Sequence, residues 1–246
     1  MRIAAAQIPA FKGDLDRNIA AHVAFIETAA KHHVNWIIFP ELSLTGYEPD
    51  LARQLAIFTD DRRLEPFQPL SERHRISIAV GVPLQGIAGV EIAMLLFQPG
   101  KPKVAYSKYF LHEDELPFFK PGKQPGCVIA DERKLGFAIC YEISVAEHAF
   151  ATIQKGAEVY VASVAKTSDG VQKARERLEQ VAIDFNIPVL MCNAVGEADG
   201  MVCGGGSFAI SPTGGVIAQL DRSNEGLLLM DVSVDGIRAE TIGNKQ

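Results

Sequence analysis

The sequence is poor in the features that mark several protein classes. Only four of its 246 residues are cysteine: Cys127, Cys140, Cys192 and Cys203. None forms a CxxC pair, and their spacings match no zinc site, so a disulfide framework, a metal site and a thiol redox motif are not indicated. No apolar run nears the ~20 residues needed to span a bilayer. The opening MRIAAAQIPAFKGD lacks a basic region followed by a long apolar one, so no signal peptide is expected and the cytoplasm is the expected location. There the cysteines stay free thiols. No basic cluster stands out and the formal net charge is −6, which argues against nucleic acid as a partner. Repeats, low-complexity stretches and linkers are also missing, so one domain over residues 1–246 is expected.

What remains is an ordinary globular composition, with 48% hydrophobic and 22% charged residues, in a chain long enough to bury a substantial core. MRIAAAQIPA, NWIIFPE and ISIAVGVPL read as strands. DLDRNIAAHVAFIETAAKHHV has apolar residues at helical spacing, with Asp14 or Asp16 as its cap. LARQLAIF and LEPFQPLSERH predict two further helices. Three hairpins are expected: VEIAMLLFQPGKPKVAYSK, CVIADERKLGFAICYE and GGGSFAISPTGGVIAQLD. VAEHAFATIQKGA and VQKARERLEQVAIDFN predict helices around the strand VYVASVA. IPVLMCNAVG and GLLLMDV close the set, with GLLLMDV as the last strand. YFLHEDELPFFKPGKQPG, rich in charge, proline and aromatics, is too long for mere connection. Strand–helix alternation mixed with hairpins excludes pure βαβ winding. It predicts an α/β fold of two mixed sheets packed face to face with helices outside, a four-layer α-β-β-α sandwich.

Three polar residues stand where apolar runs stop. Glu41 ends NWIIFPE, Lys108 ends KVAYSK and Cys140 ends LGFAIC. Strand ends and the loops beyond them are where such folds build sites. An acid, an amine and a thiol in one pocket make an acyl-transfer centre. The carboxylate takes the thiol proton, the thiolate attacks a carbonyl or nitrile carbon, and the ammonium stabilises the developing negative charge. A nearby lysine also lowers a thiol pKa. Taken singly, the three equally fit a loop acid, a surface amine and a core thiol, and spacing alone leaves both readings open. The other cysteines read as structural, although Asn193 at a strand end could bring Cys192 near a pocket. His32, His33, His74 and His148 read as helix or surface positions, His22 needs no role, and His112 falls in the lysine loop.

With these residues in hand, the sequence resembles the nitrilase, or carbon–nitrogen hydrolase, superfamily. IAAAQIPAFKGDLDRNI resembles its opening strand and helix. IIFPELSLTGY, YSKYFLHEDELPFFKPG and GFAICYE resemble the segments around its glutamate base, lysine and cysteine nucleophile. MCNAVG and GGGSFAISPTGGVIAQ resemble its closing pattern. Five segments in order make a strong match. The resemblance maps the triad to Glu41, Lys108 and Cys140, and implies a cysteine-dependent amidohydrolase that needs no metal or organic cofactor. A second glutamate in many members falls at Glu113 or Glu115; the spacing to Lys108 and to Phe118, Phe119, Pro121 and Gly122 favours Glu115. Tyr47 and either Phe118 or Phe119 are candidate walls of the acyl site. The Tyr141 N–H is a candidate oxyanion donor, and Lys166 could meet a substrate carboxylate.

After the nucleophile the sequence departs from the family's common C-Y-D-x-R-F-P-E. Glu142 replaces the aspartate, and Ser144 and Ala146 stand where arginine and proline are common. Tyr141, where nitrilases often carry tryptophan, favours an amide over a nitrile substrate. A nitrilase, an acyl transferase and an inactive binding member are the alternatives. The resemblance also implies a homodimer or larger even homo-oligomer, with VAEHAFATIQKGA as a possible contact face.

Overall fold

A computed structural model describes residues 1–129 and 133–243. Its strands are, in chain order, β1 Arg2–Gln7, β2 Trp36–Ile38, β3 Ser77–Gln85, β4 Val90–Phe97, β5 Val104–Ser107, β6 Cys127–Ile129, β7 Leu135–Ile139 and β8 Val159–Val164. They continue with β9 Val189–Asn193, β10 Val195–Ala198, β11 Met201–Gly204, β12 Phe208–Ile210, β13 Val216–Gln219, β14 Gly226–Ser233 and β15 Gly236–Gly243. The α-helices are α1 Leu15–Lys31, α2 Ala52–Leu55, α3 Phe67–His74, α4 Ala146–Gln154 and α5 Ser168–Phe185.

The strands β1, β2 and β3 run parallel, and antiparallel strands extend them into one sheet of order β15-β14-β1-β2-β3-β4-β5. The second sheet repeats that plan. Parallel β7, β8 and β9 form the centre of the order β13-β12-β9-β8-β7-β6. The parallel strands are buried on both faces, which is why they read as continuous apolar runs. Their inner faces meet in a core containing Trp36, Ile38, Phe137, Ile139 and Val161, with the Trp36 and Phe137 rings 5.6 Å apart. The outer face of the first sheet packs under α1 and α3 through Phe25, Ile26, Phe67 and Phe97, and that of the second under α4 and α5 through Ala149, Leu178 and Tyr160. The four-layer α-β-β-α sandwich of two mixed sheets expected from the sequence is the fold observed.

Local signals explain the helix limits. The Asp14 side chain accepts from the Arg17 N–H at 3.1 Å and so caps α1, while Asp16 lies in its first turn. α5 ends at Asn186 in the left-handed conformation.

Some expectations are corrected. LARQLAIF gives only a 3-10 turn, Pro49–Leu51, and the single turn α2, and LEPFQPLSERH splits at Pro66 into a 3-10 turn, Arg62–Leu64, and α3. GLLLMDV is not the last strand. DGIRAETIG alternates apolar and polar residues, and β15 pairs with all of β14 through a turn at residues 234–235, followed by Gly236 at positive φ. A hairpin of β10 and β11 was also missed. Its two-residue loop, Asp199-Gly200, holds both residues at positive φ, the geometry that a D-G pair favours. The turn of the CVIADERKLGFAIC hairpin, residues 130–132, lies outside the described residues.

Candidate active site

Two backbone devices set the site. Beyond β2 the chain turns sharply at Pro40–Glu41–Leu42, with Leu42 at φ 51°. Gly81 of β3 packs against that turn so closely that a Cβ there would stand 2.4 Å from the Leu42 nitrogen and the Pro40 oxygen. Beyond β7, Cys140 takes φ 44° and opens a 3-10 turn, Cys140–Ser144. A non-glycine residue held in that region signals local strain, which clusters at functional sites. Lys108 follows β5, its backbone fixed by Lys108 N–H to Ile92 O and Gly122 N–H to Lys108 O, both 2.8 Å.

Lys108 is fully buried. Its Nζ donates to Glu41 Oε1 at 2.9 Å and to Glu115 Oε1 at 2.6 Å. Glu115 also accepts from the Tyr47 hydroxyl at 3.2 Å and, through Oε2, from the His112 N–H at 2.8 Å. Its neighbours Glu113 and Asp114 are exposed, so of Glu113 and Glu115 it is Glu115 that meets Lys108. The remaining oxygen, Glu41 Oε2, is buried without a hydrogen-bond partner. The Cys140 thiol lies close enough to act on the Glu41 pKa as a hydrogen-bonding neighbour, although it is not aligned on Oε2. Hydrogen bonds of this kind often tighten only with substrate bound. A cavity of about 10 Å³, lined by Glu41, Ser43, Tyr47 and Cys203 among others, lies beside Glu41. It has room for about one water molecule.

The electrostatics are those of a buried ionic array. Burial raises the Glu41 pKa; the Lys108 charge opposes it and the Glu115 charge adds to it. Burial works against the Lys108 ammonium, but the charges of Glu41, Cys140 and Glu115 outweigh it and hold Lys108 above its ordinary value. Burial and the Glu41 charge push the Cys140 thiol up to about 11, although Lys166 and Lys108 both pull it down. The lysines act in the expected direction, but desolvation wins. The resting group is therefore a thiol that needs a base.

Tyr47 and Phe118 are half-buried and, like Cys140, pack at the edge of the inter-sheet core; Phe119 is fully part of that core. Tyr141 is half-buried with its ring edge-on to exposed His112, centroids 5.0 Å apart. Lys166 is half-buried after β8. Its backbone is clamped by the Asn193 amide, which accepts from the Lys166 N–H at 2.8 Å and donates to the Lys166 oxygen at 3.0 Å. Cys192 is buried between the sheets, its thiol donating to Ala6 O at 3.3 Å and Ile38 O at 3.2 Å. Cys203 is the cysteine that approaches the Glu41 cavity, and burial raises its pKa to about 12.

Sequence reasoning missed two buried histidines. His22 shares hydrogen bonds with Asn18 O and Ser43 Oγ, and burial lowers its pKa to about 3. It braces the turn that carries Glu41. His148 lies on α4, as expected, but its ring points inward to Tyr106 and Tyr160. Among the described residues no group of three or more His, Cys, Asp or Glu could hold a metal ion, and no helix is long and apolar enough to cross a membrane.

The carbon-nitrogen hydrolase family model matches residues 2–240. The chain belongs to this family. It is 26% identical over 245 residues to a glutamine-dependent NAD(+) synthetase of Thermotoga maritima, covering 96% of this chain but only 42% of that protein. It is 26% identical to an (R)-stereoselective amidase of Pseudomonas sp, over 97% of this chain and 87% of the relative. A solved structure of a cysteine-to-alanine mutant of the amidase from Nesterenkonia sp. AN1, in complex with butyramide, superposes with a TM-score of 0.84 at 25% identity, covering 96% of this chain and 92% of that one. Its relatives are thus carbon–nitrogen hydrolases of differing substrate, and the chain spans under half the length of the NAD(+) synthetase it matches.

Proposed function

We propose that this chain hydrolyses the C–N bond of a small linear amide through a thioester on Cys140. The observation that carries the proposal is the fully buried Lys108 ammonium bridging Glu41 and Glu115 beside the Cys140 thiol. Glu41, its proton affinity raised by burial, takes the Cys140 proton. The thiolate attacks the amide carbonyl carbon. Lys108 and the Tyr141 N–H, at the open start of the 3-10 turn, hold the oxyanion. Glu41 returns the proton to the leaving nitrogen, the C–N bond breaks, and ammonia or an amine departs. Water then gives a proton to Glu41 and attacks the thioester; the acid leaves and the proton returns to sulfur. Glu115 fixes Lys108, and Tyr47 and Phe118 line the acyl side.

Lys166 narrows the substrate. Its charge reaches Cys140, lowering the thiol pKa more than Lys108 does, and its ammonium has no acidic partner among the described residues. A half-buried ammonium without an acidic partner, close enough for its charge to act on Cys140, favours a carboxylate-bearing ligand. Glutamine, on which the Thermotoga maritima relative depends, is a primary amide of that kind. We therefore favour a primary amide with a carboxylate at its far end.

The test is ammonia release across glutamine-like monoamides, their methyl esters, N-carbamoyl acids, simple aliphatic amides and nitriles, run beside Cys140→Ala. Release from the carboxylate-bearing amides, lost in Cys140→Ala, is expected. Silence across the panel with an iodoacetamide-inert Cys140 would overturn the enzymatic reading.

A further inference from the structure

Glu142 is a buried acid that the mechanism above does not use. Its Oε2 accepts from the Ile139 N–H at 2.8 Å and from the Tyr106 hydroxyl at 2.7 Å. Its Oε1 accepts from the Tyr109 N–H at 2.8 Å and the Phe110 N–H at 3.4 Å. One carboxylate therefore ties the residue before Cys140 to the two residues after Lys108.

Behind it runs a buried chain. The Tyr106 hydroxyl lies 2.9 Å from His148 Nε2, and His148 Nδ1 lies 2.8 Å from the Tyr160 hydroxyl. Hydrogen counting fixes its direction. Tyr106 has one hydroxyl hydrogen and gives it to the carboxylate, so His148 must donate from Nε2 to Tyr106. His148 Nδ1 must then accept from Tyr160. The imidazole is neutral, its pKa lowered to about 4 by burial and by Lys155. If Glu142 gains a proton, the order reverses: Glu142 donates to Tyr106, Tyr106 donates to Nε2, and the imidazole hydrogen moves to Nδ1.

Resting on the amide-hydrolysis reading, we propose that Glu142 is a positioning residue that holds Lys108 in register with Cys140, and that it does so as a carboxylate. Neutralised, it gives up two of its charge-assisted roles: it no longer accepts from Tyr106, and its Oε2 becomes a poorer acceptor for the Ile139 N–H. The groups that face it are Tyr106 of β5, Lys108 in the loop beyond β5, His148 of α4, Tyr160 of β8 and Cys127 of β6. Burial raises the Glu142 pKa to about 7, against the pull of the Ile139 N–H, Tyr106, the Tyr109 N–H and Lys108. The switch thus falls in the neutral range.

The experiment compares the native protein with Tyr106→Phe and Glu142→Gln. It reads kcat and KM against pH on the best amide of the panel, and separately the rate of Cys140 alkylation by iodoacetamide. Tyr106→Phe removes one donor to the carboxylate but leaves the backbone clamps. It should move the acidic limb of kcat, and the matching limb of alkylation, to higher pH, with KM unchanged. Glu142→Gln sets an amide N–H against a backbone N–H and should lower kcat by about 10²-fold, the scale of an ångström's misplacement of a catalytic group, again with KM little changed. A folded Tyr106→Phe whose acidic limbs coincide with the native ones would overturn the proposal. So would a folded Glu142→Gln with native kcat. If no amide is turned over, the hydrolytic reading fails in the ammonia arm, while the alkylation arm still decides the clamp: identical native and Tyr106→Phe pH profiles would reject it.

Discussion

Lys108→Met is the most informative perturbation of the buried array. Methionine keeps the length and apolar stem of the lysine and removes its charge. It deletes hydrogen bonds of 2.9 Å to Glu41 and 2.6 Å to Glu115, leaving two carboxylates in one site, each no more than 3% exposed. Breaking a buried ion pair by removing one partner costs about 3–5 kcal/mol, and here one cation serves two anions. Two such carboxylates without a cation cannot both stay ionised, so one takes up a proton near neutrality. The sign follows. Carboxylates whose pKa is raised by folding bind protons more tightly in the folded state, so the variant gains stability as pH falls from neutral toward the ordinary carboxylate range. For a chain of this size a loss of that order lowers Tm by about 10 °C. Thermal unfolding of native and Lys108→Met proteins from pH 5 to pH 8 should show a deficit largest at pH 8 and shrinking toward pH 5. Lys108→Met/Glu115→Gln should recover part of it. A deficit below about 1 kcal/mol, the scale of an exposed pair, or one flat with pH, would refute the buried array.

Three further outcomes are expected. Lys166→Met should raise KM for a carboxylate-bearing amide by about 10-fold or more, in line with losing one charge-assisted hydrogen bond, while leaving its methyl ester unaffected; steady-state kinetics on the two check it. Gly81→Ala should cost about 1–3 kcal/mol by overpacking and should lower kcat more than stability alone explains, because the new Cβ strikes the backbone on both sides of Glu41; denaturant unfolding and kcat check it. The homo-oligomer expected from the family resemblance remains our proposal, with α4 as a contact face, since Phe150 is 55% exposed there. Phe150→Glu should then reduce the mass measured by light scattering, and an unchanged mass would remove α4 from the interface.

The parts of the fold that were legible in the sequence are those where burial on both sides leaves an unbroken apolar run, as in WII, SIAVGVPLQ and VYVASV. β15 was hidden because half its residues face solvent, and the β10–β11 hairpin because its strands are short and glycine-rich. The D-G pairs at 199–200 and 235–236 were the available signals. In the site, Glu41, Lys108 and Cys140 each follow an apolar run, but that spacing alone left them open; the family resemblance singled them out, and the spacing to Lys108 favoured Glu115. The spacing could not show that desolvation would outweigh two lysines at Cys140. Nor could it place Cys203, rather than Cys192, beside the Glu41 cavity, because that depends on how β11 folds back. The Glu142 network joins β5, the nucleophile turn, α4 and β8, and no local pattern links residues that far apart.

The most direct test of the central claim is an acid quench of the native protein during turnover of its best amide, followed by peptide mass analysis. A mass increase equal to the acyl group on Cys140, absent from Cys140→Ala along with ammonia release, is the predicted result. Turnover that survives in Cys140→Ala, or an acyl group found on Cys203 instead, would contradict the account.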